Sequence, residues 1–180
     1  AEGVDDGVSA NGDETAMGNS VAVSFAPMEG LTASLAMATC GGTCAAGGEA
    51  DTAQKLGIQW KGGDNLVNFV YHTEDDDSAA TDGGQTVMYL QYALTMGMNK
   101  VQLAYQTLDD DAADSNATQM SLAFIHNMSK KTKVYVAYSA IDNDDNVSHD
   151  GRLDSGIGAL DNTEAGSDPS GFGVGITHSF

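Results

Sequence analysis

The last ten residues of the chain alternate strictly between large side chains and small or polar ones. Phe172, Val174 and Ile176 occupy one set of positions, and glycines occupy most of the positions between them. A repeat of two residues is the period of a β-strand, whose successive side chains leave opposite faces of the backbone. Eight earlier segments alternate in the same way, and none fits a helical period. The chain is therefore predicted to be all-β and antiparallel, with strands at 20–27, 31–40, 55–61, 66–73, 85–96, 100–108, 117–127, 132–141 and 171–180.

The connections between these segments alternate in length. Four short breaks contain turn-forming residues and favour tight hairpins. They lie at 28–30, 62–65, 97–99 and 128–131. Four long breaks separate the remaining strands, at 41–54, 74–84, 109–116 and 142–170. In an antiparallel meander, the short and the long connections lie at opposite ends of the sheet.

Charge follows the same division. The chain has 26 acidic and 7 basic residues, a formal net charge of −19. Nearly all the acidic residues fall in residues 1–18 or in the long breaks. Most of the basic residues lie at or beside the short turns, namely Lys61, Lys100, Lys130, Lys131 and Lys133. A surface of this charge repels a polyanion, so nucleic acid is not expected as a partner.

Strands of this length, with tight turns at one end and long polar loops at the other, are typical of a transmembrane β-barrel. Hydrocarbon offers no hydrogen-bond partner to an open sheet edge, so a spanning sheet has to close on itself. The predicted fold is therefore an antiparallel transmembrane β-barrel. Periodicity alone leaves one alternative open, a soluble β-sandwich or solenoid whose apolar faces pack together as a core.

Two motifs near the C-terminus indicate a family. Residues 171–180 resemble the terminal strand of Gram-negative outer-membrane proteins, in which a final phenylalanine belongs to the signal read by the assembly machinery. Residues 129–138, Ser-Lys-Lys-Thr-Lys-Val-Tyr-Val-Ala-Tyr, resemble the penultimate hairpin of the general, non-specific trimeric porins. The ending Gly-Ile-Thr-His-Ser-Phe at 175–180 is similar to the Gly-x-x-His-x-Phe ending of that family. The rest of the chain matches it in strand pattern alone.

The resemblance implies a sixteen-stranded barrel of roughly twice this length. Bacterial single-chain barrels have even strand numbers, whereas nine strands are predicted here. Counted back from the C-terminus, the nine correspond to strands 8–16, and every even-to-odd joint then falls on a short turn. Residues 1–180 would be one β-barrel domain without its N-terminal strands, and residues 1–18 the end of an extracellular loop. The alternative is a complete eight-stranded barrel, in which one of the nine segments is not a strand.

The family implies a function as well as a fold. It implies a homotrimer in the lipid of the bacterial outer membrane, with a water-filled channel through which small hydrophilic solutes and ions diffuse passively. An enzyme is not expected, because the sequence has no nucleophile motif, phosphate-binding glycine loop or His/Cys cluster. The negative charge predicts a preference for cations. Two alternatives are a narrow barrel serving as a structural anchor or sheath, and a soluble Ca²⁺-dependent extracellular β-protein.

Polar residues on the minority face of the predicted strands are the candidates for lining the pore. They are Lys55, Gln59, Lys61, Asn68, His72, Gln91, Lys100, Gln102 and Gln106. The resemblance also implies an assembly signal in the last strand. Its residues are Phe172, Val174, Ile176, His178 and Phe180.

Two further sites are expected in the long loops. Cys40 and Cys44 flank a short flexible segment and are predicted to form a disulfide, since the compartment is oxidising. The carboxylates of Asp142, Asp144 and Asp145 are a candidate site for Ca²⁺ or Mg²⁺, because hard cations take several oxygen ligands. That segment lacks the glycine and the glutamate of a full EF-hand loop. No other cofactor is expected.

Overall fold

The computed structural model describes residues 19–39, 52–76, 83–149 and 164–179. The regular elements in these ranges are nine strands. They are β1 (Asn19–Met28), β2 (Leu31–Thr39), β3 (Thr52–Gly62), β4 (Asn65–Asp76), β5 (Gly83–Met96), β6 (Asn99–Asp110), β7 (Ala117–Asn127), β8 (Thr132–Asn143) and β9 (Ser170–His178). No helix in the described ranges is long and apolar enough to cross a membrane.

The nine strands form one sheet in the order β1-β2-β3-β4-β5-β6-β7-β8-β9. Each strand pairs antiparallel with its neighbour in sequence, so the sheet is an uninterrupted meander. All nine predicted segments are strands, which makes the alternative of an eight-stranded barrel with one non-strand segment wrong. The described residues contain no second sheet to cover the apolar face, and the sandwich alternative is therefore wrong as well.

Several strands are longer than predicted at the end where the long loops begin. Glu74–Asp76 belong to β4, Asp109 and Asp110 to β6, and Asp142 and Asn143 to β8. The prediction that these residues lie in loops is wrong. At this end both faces of the sheet carry polar side chains, so the apolar alternation stops while the backbone ladder continues.

Glycines with positive φ form the two-residue turns at the other end. Gly63 and Gly97 take the first turn position with φ values of 58° and 61°, the sign that a type II′ turn requires there. Gly30 has a φ of 78° and packs against the backbone of β3, where its carbonyl accepts a hydrogen bond from Lys61 N at 2.7 Å. A side chain at this position would collide with the Lys61 carbonyl oxygen.

The loop end of β8 is held by a network of hydrogen bonds. Asn143 is buried, and its Nδ2 donates to the Ser167 carbonyl at 2.6 Å and to the His149 carbonyl at 3.3 Å. The Asn143 backbone N–H donates to Asp168 Oδ1 at 2.9 Å. Part of the long connection after β8 therefore packs back on the strand it leaves.

Candidate functional site

The two faces of the sheet have opposite chemistry. One face, called the apolar face, carries large apolar side chains that remain exposed, such as Phe25, Leu90, Leu103 and Phe172, the last at 75% of its full exposure. Among the described residues the buried apolar side chains are Ala93, Ala117 and Ile141. A water-soluble protein does not leave a face of this size uncovered, since each such side chain gains about 1.5–3 kcal/mol from burial. A lipid environment supplies that burial.

Polar side-chain pairs mark the lower limit of the apolar face, near the short turns. Tyr92 donates its hydroxyl hydrogen to Asn65 Oδ1 at 2.7 Å. His126 Nδ1 lies 2.8 Å from Asn99 Oδ1. Thr132 Oγ1 lies 2.8 Å from His178 Nδ1. Rings with an apolar body and a satisfied polar tip are suited to the boundary between lipid and water.

Threonines and carboxylates mark the upper limit. Above the last apolar residue of β4, β5, β6 and β7 the same face continues with Thr73, Thr86, Thr107 and Thr118. On β5 the apolar stripe runs from Met88 to Met96, which is about 27 Å along a strand. At the strand tilt of a transmembrane barrel this corresponds to about 20 Å of membrane depth, close to the expected apolar band.

The opposite, polar face brings the candidate pore-lining residues together. Cross-strand register pairs Lys55 with His72, Gln59 with Asn68, and Asn68 with Gln91. Residues in register share a face, and residues two apart along a strand do too. By this rule the whole predicted set lies on the polar face, namely Lys55, Gln59, Lys61, Asn68, His72, Gln91, Lys100, Gln102 and Gln106. That this face lines water remains a prediction.

Uncharged side chains form two adjacent rows across the middle of the polar face, which we call the neutral rows. One row follows the register Thr32, Gln59, Asn68, Gln91, Ala104, Ser121, Ser139 and Gly171. The other follows Ser34, Gly57, Val70, Tyr89, Gln106, Gln119 and Ile141. No charged residue occurs in either row.

Amides in the first neutral row form a directed chain of hydrogen bonds. Gln59 Nε2 donates to Asn68 Oδ1 at 2.9 Å, and Asn68 Nδ2 donates to Gln91 Oε1 at 2.6 Å. The Gln91 amide nitrogen is the donor end of this chain. A second cluster centres on Ser139, which is fully buried and lies 2.9 Å from both Gln119 Nε2 and Ser121 Oγ.

Charged residues lie above and below the neutral rows. On the loop side, His72 Nε2 lies 3.3 Å from Glu74 Oε1, and Gln85 donates to the other Glu74 oxygen. Asp110 is in register with Gln85, so a second carboxylate follows on the same face. On the turn side the polar face carries the basic residues Lys61, Lys100 and Lys133. The charge division predicted from the sequence is thus also present along this face, except that the basic residue Lys55 lies on the loop side, in register with His72.

Sequence reasoning missed several polar residues of this face, among them Tyr89, Gln119, Ser121 and Ser139. The available signal was the two-residue period of a strand. Residues an even number of positions apart on β5, β7 or β8 share a face, as Tyr89 does with Gln91 and Gln119 with Ser121. The predicted list was restricted to β3–β6, which accounts for the residues of β7 and β8 but not for Tyr89 on β5.

The remaining predicted sites are only partly described. Phe172, Val174, Ile176 and His178 lie on the apolar face of β9. Phe180, the Cys40–Cys44 disulfide and residues 1–18 lie outside the described residues.

The residues of the candidate cation site lie at the loop end of β8 and directly after it. Asp142 faces the apolar side of β8, in register with Thr118. Asp144 Oδ2 accepts a hydrogen bond from the Asn116 backbone at 3.1 Å. No group of three His, Cys, Asp or Glu side chains suited to a metal ion occurs within the described ranges. The site at Asp142, Asp144 and Asp145 remains a prediction.

A single antiparallel sheet with one exposed apolar face and one polar face is typical of outer-membrane β-barrel proteins. The sequence matches the Gram-negative porin family over residues 1–146, and the chain belongs to that family. The matched region includes the hairpin motif at 129–138 and ends before β9. The resemblance seen in the sequence is thereby confirmed for the family, and the protein is one of the bacterial outer membrane.

A solved structure is similar in fold. It is OmpT (in-vitro folded), an outer membrane protein of Vibrio cholerae, with a TM-score of 0.60 and 15% sequence identity. The similarity covers 88% of this chain and 54% of that chain, so this chain spans about half the length of the structure it matches. At this identity the likeness concerns the fold. No curated protein matches the sequence.

Proposed function

We propose that the protein forms a water-filled channel through the outer membrane for passive diffusion of small hydrophilic solutes and ions, and that it has no enzymatic role. The opposite chemistry of the two sheet faces carries the proposal. The apolar face requires lipid, and the polar face presents amides, hydroxyls and charges that are compatible with water. Protein purified from outer membranes should produce stable conductance steps in a planar lipid bilayer. A barrel that inserts without conducting would support the structural-anchor alternative.

The channel prefers cations in this proposal. Glu74 and Asp110 lie on the polar face at the loop end, and carboxylates at a pore mouth raise the local concentration of cations. In a KCl gradient the reversal potential should therefore have the sign of K⁺ permeation. The preference should weaken between 0.1 M and 1 M salt, as the screening length falls from about 10 Å to about 3 Å.

Two double variants separate the effect of carboxylates at the pore mouth from the effect of the net charge of the protein. Glu74→Gln with Asp110→Asn removes two carboxylates from the polar face, and Asp75→Asn with Asp109→Asn removes two from the same strands on the opposite face. The first should lower the K⁺/Cl⁻ permeability ratio more than the second. Equal effects would mean that total charge, not the pore mouth, sets selectivity.

The proposal includes a homotrimer and a sixteen-stranded barrel in which β1–β9 are strands 8–16. In the described residues β1 and β9 each have one edge without a strand partner. These two strands run in the same direction, so pairing them directly would give a parallel pair. An odd number of further strands restores antiparallel closure.

The intact mass of the protein extracted from membranes tests this point. A mass of about twice 18.6 kDa is expected, together with an oligomer band on a gel that heating removes. A monomeric species of 18.6 kDa would contradict it.

A further inference from the structure

Three polar groups on the polar face have no partner in the described part of the chain, and they lie side by side. Gln91 accepts a hydrogen bond from Asn68, but its own amide nitrogen donates to no described residue. Tyr89 lies two residues before it on β5, and Gln106 lies opposite Tyr89 on β6. Neither the Tyr89 hydroxyl nor the Gln106 amide has a described hydrogen-bond partner. All three side chains are half-buried in the neutral rows.

We propose that Tyr89, Gln91 and Gln106 form a subsite for a neutral, polyhydroxylated solute, that is, a saccharide. The proposal rests on the channel function and names one class of solute for it. Residues directly opposite one another have Cβ atoms about 5 Å apart, and residues two apart on a strand about 7 Å. The three groups are therefore spaced to contact one or two sugar rings.

The chemistry of the subsite matches a sugar better than an ion. Every sugar hydroxyl both donates and accepts, as do the Tyr89 hydroxyl and the Gln106 amide, while Gln91 offers a donor. The chain from Gln59 through Asn68 orients the Gln91 donor, since linked hydrogen bonds polarise one another. A charged solute at this level would lose water with no opposite charge in the neutral rows to replace it.

The apolar part of a sugar also finds a partner here. The Tyr89 ring is flanked in its row by Val70 on β4, and Val87 precedes it on the same face of β5. Sugar rings have a C–H face and a hydroxyl edge, so a tyrosine beside two amides contacts both. The Lys55 and Lys61 side chains lie outside the neutral rows, toward the loops and the turns respectively.

The experiment measures current blockade of the purified channel in a planar bilayer. The probe is a linear glucose hexamer, and poly(ethylene glycol) of equal hydrodynamic size is the control for bulk. The hexamer should block for longer than the polymer. Gln91→Leu and Tyr89→Phe should each shorten its residence time, Gln91→Leu by about tenfold. Thr95→Val, on the same face of β5 below the neutral rows, is the matched control and should leave the residence time unchanged.

The outcomes separate the subsite from the channel. A conducting channel that the hexamer blocks no longer than the polymer overturns the saccharide subsite and leaves the proposed function intact. The subsite is also overturned if Thr95→Val shortens the blockade as much as Gln91→Leu does. Absence of conductance in the unmodified protein overturns the proposed function itself. Tyr89→Phe keeps the ring and removes one hydroxyl, so it tests the subsite even if Gln91→Leu fails to fold.

Discussion

Asn143 shows what a single polar residue contributes at the loop end of the sheet. Its side chain donates to the Ser167 and His149 carbonyls and accepts a hydrogen bond from the His149 N–H at 3.3 Å. Removing a buried amide of this kind leaves backbone groups without partners, which costs more than the net value of a hydrogen bond. The residue therefore fixes the start of the long connection against β8.

Asn143→Ala is expected to destabilise the folded protein by about 2 kcal/mol, because three side-chain hydrogen bonds are lost in a buried site. Urea titration in lipid bilayers, followed by the fluorescence of Trp60, the single tryptophan, measures the change. Asp142→Ala is the control, since its side chain is exposed, and a change within about 0.5 kcal/mol is expected. Similar losses in the two variants would contradict the importance of the network.

The short hairpins depend on two different properties of glycine. Gly63 has positive φ but open space around the position of a Cβ atom. Gly30 combines positive φ with close approach to the β3 backbone. Glycine is therefore required at position 63 for its backbone conformation, and at position 30 both for its backbone conformation and because there is no space for a side chain.

Gly63→Ala is expected to cost about 1–2 kcal/mol, because an L-residue is strained at the positive φ of the first position of a type II′ turn. Gly30→Ala is expected to cost about 2–3 kcal/mol, because strain in the hairpin adds to displacement of β3. The same urea titration measures both values. Equal losses of stability in the two variants would show that the hairpin of β1 and β2 can shift away from β3 without a loss of free energy.

At the scale of the whole molecule, the sheet is stable only where each face meets its own solvent. The exposed apolar face needs hydrocarbon, and its limits are set by polar pairs such as Tyr92–Asn65 below and by threonines such as Thr107 above. The polar face carries charge at both ends and none in the neutral rows. The membrane thus takes the place of the core that a soluble domain of this size would have.

Leu103→Lys tests which face meets lipid. Leu103 lies in the middle of the apolar face on β6, and a lysine near the bilayer midplane is expected to cost about 2–4 kcal/mol. Gln102→Lys, the adjacent residue on the polar face, is expected to change stability by less than about 0.5 kcal/mol. The free energy of folding into bilayers of defined thickness is the measurement. A reversed order of the two effects would place lipid on the other side of the sheet.

The sequence by itself determined the strand number, the antiparallel order, the two faces and the division of charge. These follow from local alternation, from turn residues such as Gly63, and from the lengths of the connections. It did not determine that Glu74, Asp110 and Asp142 lie in strands, because the apolar period ends where both faces meet water.

Only the tertiary structure decided which polar side chains meet. The chain from Gln59 to Gln91, the cluster at Ser139 and the network at Asn143 all depend on register between strands far apart in sequence. A shift of one residue would move each of these groups to the opposite face. The candidate lining residues were predictable because their face follows from the period. The proposed subsite at Tyr89, Gln91 and Gln106 was not predictable. Only the pairing of β5 with its neighbours shows that these three groups lie together and have no partner among the described residues.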